Sequence, residues 1–301
     1  MDPMDSIITT NEITIENADL LNNKIALLND LKTIKANHVN LKHLTDTNCT
    51  IILDSISQNK NINKLTLFNL TINKESSQHL FGILKANRLS ELTLDYVVIN
   101  VNDLSCLIYL IDGLKYATSL VYLRIGSIID DEPFAKIITS LNNLPHLTHL
   151  CISNKKASSL TSISLANLLM MNRLTTLNLI SCEMDDIEHI VTAMHHNWSL
   201  RSLNLNTNLV HDEGCTMLAQ MLELNTTLKE LCLYNNHITN QGAKRLGAAL
   251  RKNSSLTTLD LEDNYFNSEL IINALRHNTS LTELDLYNDR QTGRENYDKQ
   301  N

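Results

Sequence analysis

Glycine and proline are scarce in this chain, 7 and 3 of 301 residues, and aromatic residues make up only 4%. So little turn punctuation excludes an all-β sandwich, and so few bulky anchors argue against one large globular core. No apolar run approaches the roughly 18 residues of a membrane span. The opening MDPMDSIITT has two Asp and no cation before its apolar run, so it does not read as a secretory signal. The six cysteines (Cys49, Cys106, Cys151, Cys182, Cys215 and Cys232) form no CxxC pair and no framework spacing. That usage predicts free thiols in a reducing, cytosolic compartment. There is no HExxH, no Cys/His quartet and no Gly-rich phosphate loop, so a bound metal, a cofactor and nucleotide hydrolysis all lack support. The cations are outnumbered too: a net charge of −8 and a pI of 5.7 oppose nucleic acid and anionic membranes and favour a basic partner.

Leu and Asn are abundant instead, in a chain that is 43% hydrophobic and 19% charged, ordinary for a soluble fold with a large core. They recur with a fixed period. LxxLxLxxN appears as LRSLNLNTN from Leu200, LKELCLYNN from Leu228, LTTLDLEDN from Leu256 and, ending in Asp, LTELDLYND from Leu281. Looser copies begin at Leu174, Leu147, Leu120, Leu89 and Ile62, and degenerate ones at 36 and 10, so about eleven units of 25 to 31 residues fill the chain. The boundaries are an N-terminal extension 1–9, a repeat domain 10–289 and a polar tail 290–301.

Within a unit, counting its first Leu as offset 0, the residues at offsets 3 and 5 share one side of a strand, the interior, while 2, 4 and 6 face the other way. Helical spacing then takes over, as in Ala243, Leu246, Ala249 and Leu250. Neither the strand nor the helix can bury its apolar side alone, so units must stack into a parallel sheet with helices outside and the strands on a concave face. Asp130-Asp131-Glu132-Pro133 suits a helix start. Asn197, Asn225, Asn253 and Asn278, each three residues before the next Leu, suit left-handed helix caps. The pattern resembles the ribonuclease-inhibitor-like class of leucine-rich repeats, most closely over Leu200 to Asp289, where Asn236, Ile238, Gly242, Ala243, Leu246 and Leu250 match. That resemblance implies an α/β solenoid, a horseshoe with an inner parallel β-sheet, binding proteins through its concave face. Before Leu174 the Asn position holds Ala18, Leu44, Leu70, Val97, Ile128 and Lys155, so the buried asparagine ladder is expected to stop and those turns to be irregular.

Two chemical readings compete with binding. Asn197-Trp198-Ser199, Asn225-Thr226-Thr227, Asn253-Ser254-Ser255 and Asn278-Thr279-Ser280 look like glycosylation acceptors, but a repeat junction written Asn-x-Ser/Thr-Leu generates them automatically. Cys151 and His149 share a strand face and would be the pair for a cysteine-dependent enzyme. An i, i+2 spacing separates their Cβ atoms by about 6.5–7 Å, long for thiolate activation, and a sheet supplies no oxyanion pocket. The histidines His189, His195 and His196 have no ligand spacing.

The outward strand residues therefore carry the functional expectation. The last three strands present Glu230, Asp260, Glu262, Asp263, Glu283 and Asp285 beside Tyr234 and Tyr287, a composition suited to docking a basic, Lys/Arg-bearing protein surface. A secondary candidate is Phe68, Asp95, Tyr96, Tyr122 and Arg124, beside the longest unit, from Leu89. The expectation is a non-enzymatic interaction module, cytosolic, that does not insert into membranes. With its Asn, Ile and Lys richness it resembles stand-alone leucine-rich-repeat effectors that intracellular bacterial pathogens place in host cytoplasm. An inhibitor occluding a basic enzyme is the alternative use of the same face.

Overall fold

The computed structural model describes residues 8–9, 11–17, 19–99, 104–126, 131–154 and 156–287. The tail 290–301, most of the extension 1–9, and Ala18, Ile128, Asp130, Lys155 and Asp289 lie outside the described residues. Two compact units divide the chain, Met1–Leu150 and Cys151–Asn301.

In the first unit β1 (Ile8–Thr9) pairs antiparallel with β2 (Glu12–Ile15). From there β2, β3 (His38–Lys42), β4 (Lys64–Ile72), β5 (Glu91–Ile99) and β6 (Tyr122–Gly126) run parallel in chain order. The intervening helices are α1 (Asp19–Thr33), α2 (Asp46–Gln58), α3 (Lys74–Lys85) and α4 (Leu104–Tyr116), with α5 (Asp131–Ser140) following β6. Equal repeats impose equal register, so Leu65 lies opposite Leu92, and Leu92 opposite Leu123.

β7 (His149–Ser153) crosses the division. The second unit continues with α6 (Ser159–Met170), β8 (Thr176–Ile180), α7 (Glu188–Met194), β9 (Ser202–Asn204), α8 (His211–Leu224) and β10 (Glu230–Cys232). It ends with α9 (Asn240–Leu250), β11 (Thr258–Asp260), α10 (Glu269–Leu275) and β12 (Glu283–Asp285). Here Leu177, Leu203, Leu231, Leu259 and Leu284 stand in register on successive parallel strands. The leucines at offsets 0, 3 and 5 of the units from Leu200, Leu228 and Leu256 are at most 1% exposed. The core is thus the space between strands and helices, filled by the repeat's own consensus.

Strand alternation alone would send the residue at offset 8 outward, because 5 and 8 differ in parity. A left-handed residue at offset 7 reverses this. His43, Asn69, Tyr96, Asn154, Ser181, Thr207, Asn235 and Asp263 all have φ between 48° and 58°, and none is glycine. Each such corner costs about 1 kcal/mol or more of backbone strain and aims offset 8 into the core. In the later units that residue is Asn208, Asn236 or Asn264, at most 2% exposed. Asn236 donates through Nδ2 to Leu205 O at 2.8 Å, and Asn264 accepts at Oδ1 from the N–H groups of Asn236 and Ile238, both at 3.0 Å.

Where Leu70 and Val97 replace Asn there is no ladder, as expected, but the turns are not irregular. β4 and β5 instead bulge together at Asn69 and Tyr96 and then resume pairing, Leu70 with Val97 through Ile72 with Ile99. Apolar side chains at offsets 8 and 10 keep the backbone in a strand, because the sheet satisfies the polar groups that an amide side chain serves elsewhere.

The left-handed caps expected at Asn197, Asn225, Asn253 and Asn278 are not formed. None of the four has positive φ, and Asn225 is extended at φ −75°, ψ 125°. Their side chains cap the preceding repeat's helix instead. Asn225 Nδ2 donates to Met194 O at 3.0 Å, Asn253 Nδ2 to Leu222 O at 2.7 Å and Asn278 Nδ2 to Leu250 O at 2.6 Å. Their Oδ1 atoms accept from the residues two and three positions on, as at Thr227 and Leu228, both at 2.9 Å. These bonds form a second asparagine ladder. It occupies the nitrogen that glycosylation would need, in favour of the repeat-junction reading of those motifs.

Candidate protein-interaction face

On the sheet face away from the helices, the second unit brings the expected acidic residues together. The register places Glu230 beside Thr258, Thr258 beside Glu283, Cys232 beside Asp260, and Asp260 beside Asp285. Three parallel strands about 4.8 Å apart therefore stack carboxylates within two strand spacings of one another. Among the described residues no lysine or arginine is ion-paired with Glu230, Asp260, Glu262, Glu283 or Asp285. Tyr287 is 66% exposed at the rim and Tyr234 is half-buried inside it. Asp263 is the left-handed corner residue of its unit, so its place is set by the backbone.

The patch is electrostatically loaded. Burial pushes the Asp260 carboxyl above its ordinary value; the Glu262 N–H, which donates to Oδ1 at 3.0 Å, opposes this, and the Asp285 carboxylate adds to it. A group whose folded pKa is raised holds its proton more tightly when folded. Stability is therefore lost as pH rises from 3.8, the unfolded value, through the folded one. Asp260→Asn keeps the acceptor for Glu262, as Asn204 does for Asn206 at 2.8 Å in an earlier repeat. The variant is expected to melt higher than the parent at neutral pH, with the gap closing in strong acid; thermal melts across pH check this.

Cys232 lies under these carboxylates, 8% exposed, its Sγ–H directed at Glu230 Oε1 at 3.6 Å. Burial first, and then Glu230 and Asp260, push its thiol up to about 12. Cys151 is buried at 3% exposure, while His149 is exposed, held by Thr148 Oγ1 at 2.8 Å and 6.4 Å from Tyr122 between ring centroids. All six cysteines are free and buried. The folded chain is expected to release no titratable thiol to an aromatic disulfide reagent at neutral pH, and six after denaturation. Rapid native labelling at Cys151 would restore the nucleophile reading.

The secondary candidate residues also meet, within the first unit. Phe68 and Tyr96 make an edge-to-face contact at 5.6 Å, and Arg124 Nε donates to Asp95 Oδ2 at 3.1 Å. Tyr122 stands one strand over, opposite Glu91, which pairs with Lys64 at 2.6 Å. The charges of this patch are neutralised internally, and Asp95 is 9% exposed, more buried than an outward strand position suggests. The sequence reading also missed a ring column at the strand-to-helix corner, His211 on His237 at 5.4 Å and His237 on Tyr265 at 5.7 Å, both stacked. His237 and Tyr265 share offset 9 in neighbouring repeats, which is the signal that would have found it. Among the described residues no cluster of three or more His, Cys, Asp or Glu is arranged to hold a metal, and His189, His195 and His196 form none.

A Leucine Rich repeat family model matches residues 196–219 and 224–247. No curated protein matches the chain at significant similarity. Among solved structures the chain is similar to the Rad7 and Elc1 complex in yeast, at 18% identity and TM-score 0.53, covering 86% of this chain and 66% of that one. It is similar to an internalin (inlF) from Listeria monocytogenes, at 20% identity and TM-score 0.43, covering 77% and 76%. It is also similar to the Leiomodin-1 Actin-Binding Site 2, at 22% identity and TM-score 0.39, covering 47% and 87%. Repeat, register and the first of these likenesses define the fold as an α/β leucine-rich-repeat solenoid of about eleven repeats. Leucine-rich-repeat folds are interaction scaffolds as a class, and a protein partner is the coarse function they support.

Proposed function

We propose that this chain is a non-enzymatic binding module that docks a basic surface of a protein partner onto the acidic face of β10 to β12. We further propose that it acts as a bacterial effector in the reducing cytosol of a host cell. The carrying observation is that no lysine or arginine among the described residues is ion-paired with Glu230, Asp260, Glu262, Glu283 or Asp285, while burial and the Asp285 carboxylate push the Asp260 carboxyl above its ordinary value. Like charges stacked this closely oppose folding, and a cationic partner reverses the sign of that term. Tyr234 and Tyr287 add amphipathic surface beside the charge, as binding hot spots do. Six free, buried thiols suit a reducing compartment.

The test is capture from host-cell lysate by the parent chain and by Asp260→Lys with Glu262→Lys, compared by mass spectrometry. The parent is expected to retain a basic protein that elutes with moderate salt, and the double variant, shown folded by circular dichroism, to lose at least ten-fold of it. Equal capture by both chains would sink the assignment of this face.

A further inference from the structure

We propose that the solvent side of α6 is the contact through which two copies of this chain associate. α6 is apolar on its solvent side as well as on its core side, unlike an amphipathic surface helix. It buries Thr161 and Ser162, at 0% and 1% exposure, beside Leu165, Leu168 and Leu169, while Leu160, Ile163 and Met170 stand 52%, 40% and 48% exposed. Positions 160, 163, 167 and 170 follow the 3-4-3 spacing of a helix-pairing seam. Met171, 48% exposed, extends it, and Trp198, the chain's one tryptophan, 68% exposed, follows near its C-terminal end, where the Trp198 backbone N–H donates to Asn172 Oδ1 at 2.9 Å. An apolar row of this kind, interrupted by Asn167 alone, is not the scattered exposure of an ordinary surface.

A second copy is the occupant that the charges favour. Of the ten α-helices among the described residues, α6 alone has no Asp, Glu, Lys, Arg or His. Two chains of net charge −8 repel one another over most orientations, and least where a charge-free face meets its own copy. Asn167, exposed in the middle of the seam, can bond its own symmetry mate, as a lone Asn does when it fixes the register of paired helices. Five large apolar side chains, each roughly half exposed, offer on the order of 400–500 Å² per copy, within the about 300–600 Å² of the largest, often functional, apolar patches. That is the apolar share of the roughly 800 Å² that each partner gives to a standard interface.

Sedimentation equilibrium of the full chain over a range of concentrations is expected to give a mass approaching twice 34.0 kDa. Ile163→Lys with Met170→Lys, both at exposed positions, should return it to the monomer mass without moving the melting temperature. Because the native thiols are buried, Asn167→Cys gives one accessible thiol. A short bismaleimide should join two Asn167→Cys chains and should not join two Lys252→Cys chains. A chain that stays monomeric overturns the proposal and assigns the seam to a different protein. A dimer that survives both lysines, or an Asn167→Cys chain that does not cross-link, overturns it as well.

Discussion

Leu259→Asp is expected to cost about 4 kcal/mol or more, the range for an unpaired charge forced into a close-packed core. Leu259 is 1% exposed, at the centre of a row in which Leu231 and Leu284 are its register partners. A solenoid spends such a loss locally, since each repeat rests only on its neighbours. β12 pairs with β11 and with no later strand among the described residues, so its unit should be released together with β11. Hydrogen exchange should lose protection over residues 256–287 first, while β8 and β9 keep theirs. A variant that unfolds in denaturant at the parent's midpoint would contradict the register.

Asn236→Ala is expected to cost about 3 kcal/mol, because each buried backbone group it strands loses about 1–3 kcal/mol. Its Nδ2 serves Leu205 O at 2.8 Å and Tyr234 O at 3.0 Å, and its Oδ1 takes the Val210 N–H at 3.3 Å. None of these groups reaches water easily beside a residue at 0% exposure. Asn236→Asp should be no rescue, since it exchanges two lost donations for a buried charge. Denaturant titration of Asn236→Ala beside Asn236→Leu distinguishes the loss of hydrogen bonds from simple loss of volume: the Leu variant, which restores bulk but not bonding, should recover little.

The sequence announces these elements through their period. Leu228, Leu231 and Leu233 declare which side of β10 is core, and the structure buries all three. What the period could not declare is the backbone at the corner. His43, Tyr96 and Thr207 share no side-chain chemistry, yet all adopt the same left-handed conformation, because neighbouring repeats impose it and no glycine marks it. The same blindness affected the helix ends. Asn225 has the residue type of a left-handed cap, and its actual work, holding Met194 O from the preceding repeat, depends on a neighbour 31 positions away. At the acidic face, strand parity points Glu230, Asp260, Glu262, Glu283 and Asp285 outward, whereas Asp263 takes its place from the left-handed corner. The burial that raises Asp260, and the burial of Cys232 beneath the carboxylates, were not legible, since both depend on how closely the strands pack.

The junction asparagines have a consequence for synthesis. Asn59 bonds Leu31 O at 2.8 Å, Asn197 bonds Leu169 O at 2.7 Å, and Asn225, Asn253 and Asn278 each reach a carbonyl earlier in the chain. Every acceptor in this ladder leaves the ribosome before its donor. A nascent chain that emerges at about 5–20 residues per second thus presents each finished helix end to the amide arriving one repeat later. At each of these junctions growth order and bonding order coincide.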